Sequence, residues 1–163
     1  MGKEVKTNAM RILDRMKIPY QLNLYECDEF IDGVHVADAL GQPYESSFKT
    51  LVAVAKSGAH YVFVLPIAQE LDLKKAAAAV GEKAVTLIPV KEITPLTGYV
   101  RGGCTAIGMK KAFPTVIDAS AQAFETIIIS GGRIGAQIFL APADLAKAAN
   151  AVFADLVMKG EGA

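Results

Sequence analysis

The stretch Phe48-Lys49-Thr50-Leu51-Val52-Ala53-Val54-Ala55-Lys56-Ser57-Gly58-Ala59-His60-Tyr61-Val62-Phe63-Val64-Leu65-Pro66-Ile67 decides the fold. Two apolar runs, 48–55 and 61–67, flank the turn dipeptide Ser57-Gly58, the pattern of a β-hairpin. Side chains alternate along a strand, so Phe48, Thr50, Val52 and Val54 share one face and Lys49, Leu51, Ala53 and Ala55 the other. Both faces are largely apolar, so the first strand is expected to be buried on both sides. Lys49, at its start, must then reach water, a carboxylate or a ligand, because an unpaired buried ammonium is costly. A lysine that snorkels from a strand end meets the same need without any function.

Outward from the hairpin, the upstream chain predicts a helix capped at Asn8 and stopped before Pro19, a half-buried strand over 20–25, and a short helix over 34–40 closed by Gly41. Downstream, a helix over 71–80 has Asp72 near its start and Gly81 at its end, and a short strand follows over 85–88. Strands are expected over 115–117, 126–129 and 134–140, with Ser130-Gly131-Gly132-Arg133 as a turn. Pro142 opens a last helix that is expected to run to Leu156. Strands outnumber helices and adjoin through tight turns. An α+β domain with a mostly antiparallel, curled sheet fits this order better than βαβ repetition.

Composition narrows the function classes. The chain has 163 residues, 52% hydrophobic and 21% charged, enough to fold as one domain without staples and too apolar to be mainly disordered. Its longest run without a charge, 57–69, contains Gly58, His60 and Pro66 and falls short of the roughly 20 apolar residues of a membrane-spanning helix. Lys and Arg number 17, and so do Asp and Glu. Zero net charge excludes an extended grip on nucleic-acid phosphates and leaves room for a short piece held by a local patch. Residues 1–17 alternate charged with apolar positions and lack the apolar core of a signal peptide. Cys27 and Cys104 stand far apart with no zinc or redox spacing, so a reduced, cytoplasmic setting is expected.

Three features besides Lys49 are candidates for chemistry. Residues 98–108 hold Gly98, Gly102, Gly103 and Gly108, whose backbone N–H groups can approach an anion or a developing oxyanion, or serve a tight packing loop. The stretch misses a Walker loop, because Met109 stands where Lys is required and Lys110 where Ser or Thr is required. Ser130-Gly131-Gly132 either makes a hairpin turn or brings its N–H groups and hydroxyl to the pocket of Lys49. His35 and His60 have no partner at metal-ligand spacing, so no metal and no other cofactor is expected; His60 is expected at the surface. No G-x-S-x-G elbow is present, and neither cysteine has an evident activating base.

Taken together, four segments resemble the YbaK/EbsC family: 18–25, Ser47-Phe48-Lys49-Thr50-Leu51, Thr97-Gly98-Tyr99-Val100-Arg101-Gly102-Gly103, and Ser130-Gly131-Gly132-Arg133. Segments 71–77 and 144–147 extend the likeness over nearly the whole chain. The resemblance implies one domain over 1–163, related to the editing domain of prolyl-tRNA synthetase, with a mixed, strongly curved, barrel-like sheet and flanking helices. It implies a cytoplasmic deacylase that acts on the aminoacyl-tRNA 3′ end, with Cys on proline tRNA as the substrate and prolyl-tRNA synthetase as a partner. By position, Lys49 matches the key family lysine, and Tyr25, Thr50, Gly102, Gly103, Ser130, Gly131 and Gly132 fall at substrate-binding positions. Ala106 stands where related domains often have the proline of G-x-x-x-P, Gln137 stands near an aspartate of some members, and 30–35 departs from the best-known pattern.

An aminoacyl ester is labile, so positioning and charge can suffice for its cleavage. On this reading Lys49 holds the terminal phosphate or polarises the ester carbonyl, and N–H groups near Gly102-Gly103 and Ser130-Gly131 receive the oxyanion. Water or the substrate's own thiol attacks. A non-catalytic module of EbsC type, which binds aminoacyl-tRNA or a small ligand or serves in regulation, is the competing class.

Overall fold

A computed structural model describes residues 6–27 and 31–158 of the chain. Residues 1–5 and Phe30, both read above, lie outside the described residues.

The hairpin forms as its alternation dictates. Strands β1 (Gln21–Leu24), β2 (Phe48–Ala55), β3 (His60–Pro66) and β4 (Val85–Leu87) are followed by β5 (Thr115–Asp118), β6 (Ile127–Ser130), β7 (Ala136–Leu140) and β8 (Ala151–Ala154). Helix α1 (Asn8–Arg15) precedes β1, and α2 (Gly33–Leu40), α3 (Leu73–Val80), α4 (Ile93–Thr97) and α5 (Pro142–Ala149) lie between strands in the chain. β2 and β3 pair antiparallel from Phe48↔Pro66 to Val54↔His60.

Short side chains fix the helix ends. Asp72 accepts from the N–H groups of Lys74 and Lys75 at the start of α3, and Asp32 accepts from His35 N–H at the start of α2. Gly41 and Gly81 close α2 and α3. The cap of α1 is Thr7 rather than Asn8; Asn8 instead donates to the Gly108 carbonyl at 2.7 Å. The last helix also departs from expectation. Asn150 takes the left-handed conformation, α5 ends there, and the following residues become β8 beside β5 instead of continuing to Leu156. The β-branched and aromatic pair Val152-Phe153 suits that extended pairing.

Two sheets replace the one curled sheet expected from the sequence. One has the strand order β1-β7-β6, and the other β4-β2-β3-β5-β8. Pairing is mixed and mostly antiparallel, with parallel ladders at β3-β5 and β5-β8. The sheets meet at a single parallel bridge, Ser47↔Ile128, where Ile128 N–H donates to the Ser46 carbonyl at 2.8 Å. Ser47 itself is held in a turn: its N–H donates to the Tyr44 carbonyl and its hydroxyl to the Pro43 carbonyl. No barrel closes among the described residues.

The strand at 48–55, expected to be buried on both faces, is buried at Phe48, Val52, Ala53 and Ala55 and only partly buried at Lys49, Thr50, Leu51 and Val54. Phe48, Val52, Val62 and Val64 pack with α1, α5 and the inner face of the three-stranded sheet. Ala53, Ala55, Phe63 and Leu65 form the opposite layer, under Ala76 and Ala77 of α3. Phe63 is fully buried. Among the described residues, no helix is long and apolar enough to cross a membrane.

Candidate active site

β4 is only three residues long, and it pairs with Ala53, Val54 and Ala55 alone. Ile88 N–H adds one more bond, to the Val52 carbonyl at 3.1 Å. Towards its start, β2 meets the other sheet only at Ser47. Between these two anchors one edge of β2 has no neighbouring strand, and a cavity of about 430 Å³ opens there. Lys49, Thr50 and Leu51 line it, facing Ile128, Ile129 and Ser130 of β6, with Leu87 and Ile88 at the β4 end.

Backbone polarity at this edge follows from the ladder. In an antiparallel strand, a residue's N–H and C=O point to the same side, and the side alternates. Ala55 N–H donates to Ala59, on the β3 side, whereas the Val52 carbonyl and Lys56 N–H bond towards β4. Thr50 has the parity of Val52, so its N–H and C=O point past the end of β4 into the gap. Its side chain is half-buried.

Lys49 is half-buried on the wall of this cavity, and its ammonium donates to the Ile67 carbonyl at 3.3 Å. Burial pushes its pKa below the ordinary lysine value, and the charge of Glu70 opposes that shift by a smaller amount. Arg101 adds a second cation to the lining, and Asp32 adds a carboxylate already bonded to His35.

The structure divides the residues singled out from the sequence. Tyr25, Lys49, Thr50, Gly102 and Ser130 all line the one cavity. Gly103, Gly131 and Gly132 are not among its lining residues. A Cβ on Gly103 would stand 2.7 Å from the Arg133 Cα, so this glycine lets the loop at 98–108 pack against the turn at 130–133. The N–H groups also separate. Gly103 donates to the Val100 carbonyl, Gly131 to the Ala136 carbonyl, and Gly132 to the Ser130 hydroxyl at 3.3 Å. These three bond within the protein. Gly102, at φ +85°, has an N–H that makes no hydrogen bond among the described residues.

Cys104 also lines the cavity, and burial pushes its thiol up to about 11, which keeps it protonated near neutral pH. His35 and His60 are absent from the lining. His35 pairs with Asp32 at 2.8 Å, and His60, expected at the surface, is half-buried against the ring of Phe113. Among the described residues, no group of three metal-ligating side chains comes together.

Gln42 is a lining residue that the sequence reading missed. It forms a reciprocal amide pair with Gln137, at 2.8 and 2.9 Å, across 95 positions of chain. Gln137 is buried, at 8% exposure. Nothing local in the sequence marks such a pair.

Comparison with known proteins bears on this geometry. Residues 33–148 match the model of the aminoacyl-tRNA editing domain. The chain is 43% identical over 155 residues, 94% of each protein, to one from Enterococcus faecalis with the provisional name Cys-tRNA(Pro)/Cys-tRNA(Cys) deacylase EbsC. A solved structure of a hypothetical protein superposes with a TM-score of 0.84 at 23% identity, covering 93% of this chain and 99% of that one. Another, described as a provisional trans-editing enzyme for prolyl-tRNA synthetase, gives 0.78 at 23% identity, covering 96% and 100%. At that identity the two structures establish the fold alone.

Proposed function

The chain belongs to the aminoacyl-tRNA editing domain family, and from that premise we propose that it is a trans-acting aminoacyl-tRNA deacylase with cysteine on proline tRNA as its substrate. One observation carries the reading. The family-matching lysine stands at an open strand edge, on the wall of a cavity that also gathers Tyr25, Thr50, Gly102 and Ser130. The volume of about 430 Å³ falls in the range of small-molecule sites, which suits the end of a tRNA and not its body.

The chemistry is ester cleavage. A nucleophile adds to the ester carbonyl and the carbonyl oxygen becomes an oxyanion; collapse breaks the bond to the terminal ribose oxygen, which takes up the proton that the attacking water or thiol gives up. Lys49 supplies positive charge, either to the carbonyl oxygen or to the terminal phosphate. The Thr50 and Gly102 N–H groups are the donors left for the oxyanion, since those of Gly103 and Gly131 are committed elsewhere. Among the described residues of the lining, the Cys104 thiol stays protonated and no histidine accompanies Ser130. Water, or the substrate's own thiol, is the attacking group on this reading.

With zero net charge the protein's own hold on tRNA is weak, and prolyl-tRNA synthetase beside it raises the effective concentration of substrate. That partnership places the activity in the cytoplasm. The direct test is ester loss from cysteine-charged proline tRNA, with alanyl- and seryl-tRNA as controls. Faster loss than in buffer, greatest for the cysteinyl ester, supports the reading; loss at the buffer rate for all three overturns it.

A further inference from the structure

Gln137 lies on the middle strand of the three-stranded sheet, directly opposite Asn23 of β1 and Ser130 of β6. Residues paired across a sheet project to the same face, so these three make a polar row, and Gln137 and Ser130 line the cavity. Gln42 joins the row from just past the end of α2. Its amide N–H₂ donates to the Gln137 side-chain oxygen at 2.8 Å, and the Gln137 amide N–H₂ donates back at 2.9 Å. Asn23 donates a second bond to the same Gln137 oxygen at 3.0 Å. That oxygen thus has both acceptor positions used. Flipping this amide alone would turn its N–H₂ towards the N–H₂ groups of Asn23 and Gln42, so the three amides are set relative to one another.

Two consequences follow for the cavity. The pair joins the end of α2 to β7 across its wall. It also keeps that wall uncharged, where a carboxylate would have to set its second oxygen against the Gln42 carbonyl unless it bound a proton.

We propose, on the basis of the deacylase reading above, that the Gln42–Gln137 pair held by Asn23 is the specificity-determining latch of this pocket, which closes the wall and admits aminoacyl groups with small, neutral side chains. Gln42 and Gln137 are positioning and selecting residues, and they take no proton from the reacting atoms.

The experiment compares ester loss from alanyl-tRNA and methionyl-tRNA by the wild-type chain, Gln42→Ala and Gln137→Glu across pH. Circular dichroism checks that each variant is folded. The wild type prefers the alanyl ester at every pH. Gln42→Ala opens the wall and shifts the ratio towards the methionyl ester by about tenfold, the scale of a misfit of one or two methylenes. Gln137→Glu keeps the wild-type ratio at low pH, where the new carboxyl is protonated. It loses that ratio as the carboxyl ionises, which adds an inflection absent from the wild type. A purely structural role lowers both rates together and adds no inflection; that result, or an unchanged ratio in Gln42→Ala, overturns the latch. If the wild type cleaves neither ester nor the cysteinyl one, the deacylase reading fails instead. Binding of amide-linked alanyl- and methionyl-adenosine, which needs no turnover, then reads the same ratio, and equal preference in wild type and Gln42→Ala overturns the latch on its own.

Discussion

Along β2, the residues from Val52 to Ala55 have a strand or its continuation on each side, whereas Phe48, Lys49, Thr50 and Leu51 have β3 on one side and the cavity on the other. The strand is continuous, and its polar residues Lys49 and Thr50 both fall in the first half. What also changes is the length of a neighbour: β4 stops after three pairs. A backbone edge with no ladder partner needs other hydrogen-bonding company, and a ligand can provide it. The two halves therefore show how this fold makes a site. The same β-strand is core where both ladders run and pocket where one of them ends.

This contrast can be broken at the fully paired side first. Phe63, on β3 between β2 and β5, has no exposed surface. Phe63→Ala should cost about 3–5 kcal/mol of stability, measured as a lowered urea midpoint with an unchanged slope. A cost below about 1 kcal/mol would deny that this half of the sheet carries the core.

The open side responds to pH instead. Burial lowers the Lys49 pKa from its ordinary 10.5. In the window between the lowered value and 10.5, the unfolded chain binds more protons than the folded one, so stability rises with pH there. Lys49→Met should lose that rise in alkaline denaturation series. Ester cleavage by the wild type should fall through the same window as the ammonium loses its proton, while Lys49→Arg, which does not titrate there, should keep a flat alkaline limb. A wild-type limb as flat as that of the arginine variant would remove the ammonium from the chemistry.

The smallest effect is expected at Thr50. If its contribution is the main-chain N–H at the open edge, Thr50→Val keeps it and cleavage changes by less than the tenfold that about 1.4 kcal/mol would produce. A larger loss would move the role to the hydroxyl.

The features legible in the sequence are those set by neighbouring residues. Alternation at 48–67 gives the hairpin and its two buried faces, Asp72 and Gly81 bound α3, and Pro142 starts α5. The same local chemistry marks Lys49 as a cation that needs company. Asn150 shows where local reading fails: its alanine-rich surroundings continue a helical pattern, yet the left-handed turn and the pairing with β5 prevail. The unladdered edge and the Gln42–Gln137 pair depend on which strands become neighbours and on contacts 95 residues apart, which no local pattern encodes. The single curled sheet was expected for the same reason, since Ser47 bridges to β6 at one point only.

The account stands or falls on Lys49 at the open edge. Single-turnover cleavage of cysteine-charged proline tRNA by Lys49→Ala, with urea unfolding on the same preparation, tests it most directly. The predicted result is a loss of about a hundredfold or more with the fold intact, the scale set by removing one electrostatic group from a reacting carbonyl. Equal rates for wild type and variant would contradict it.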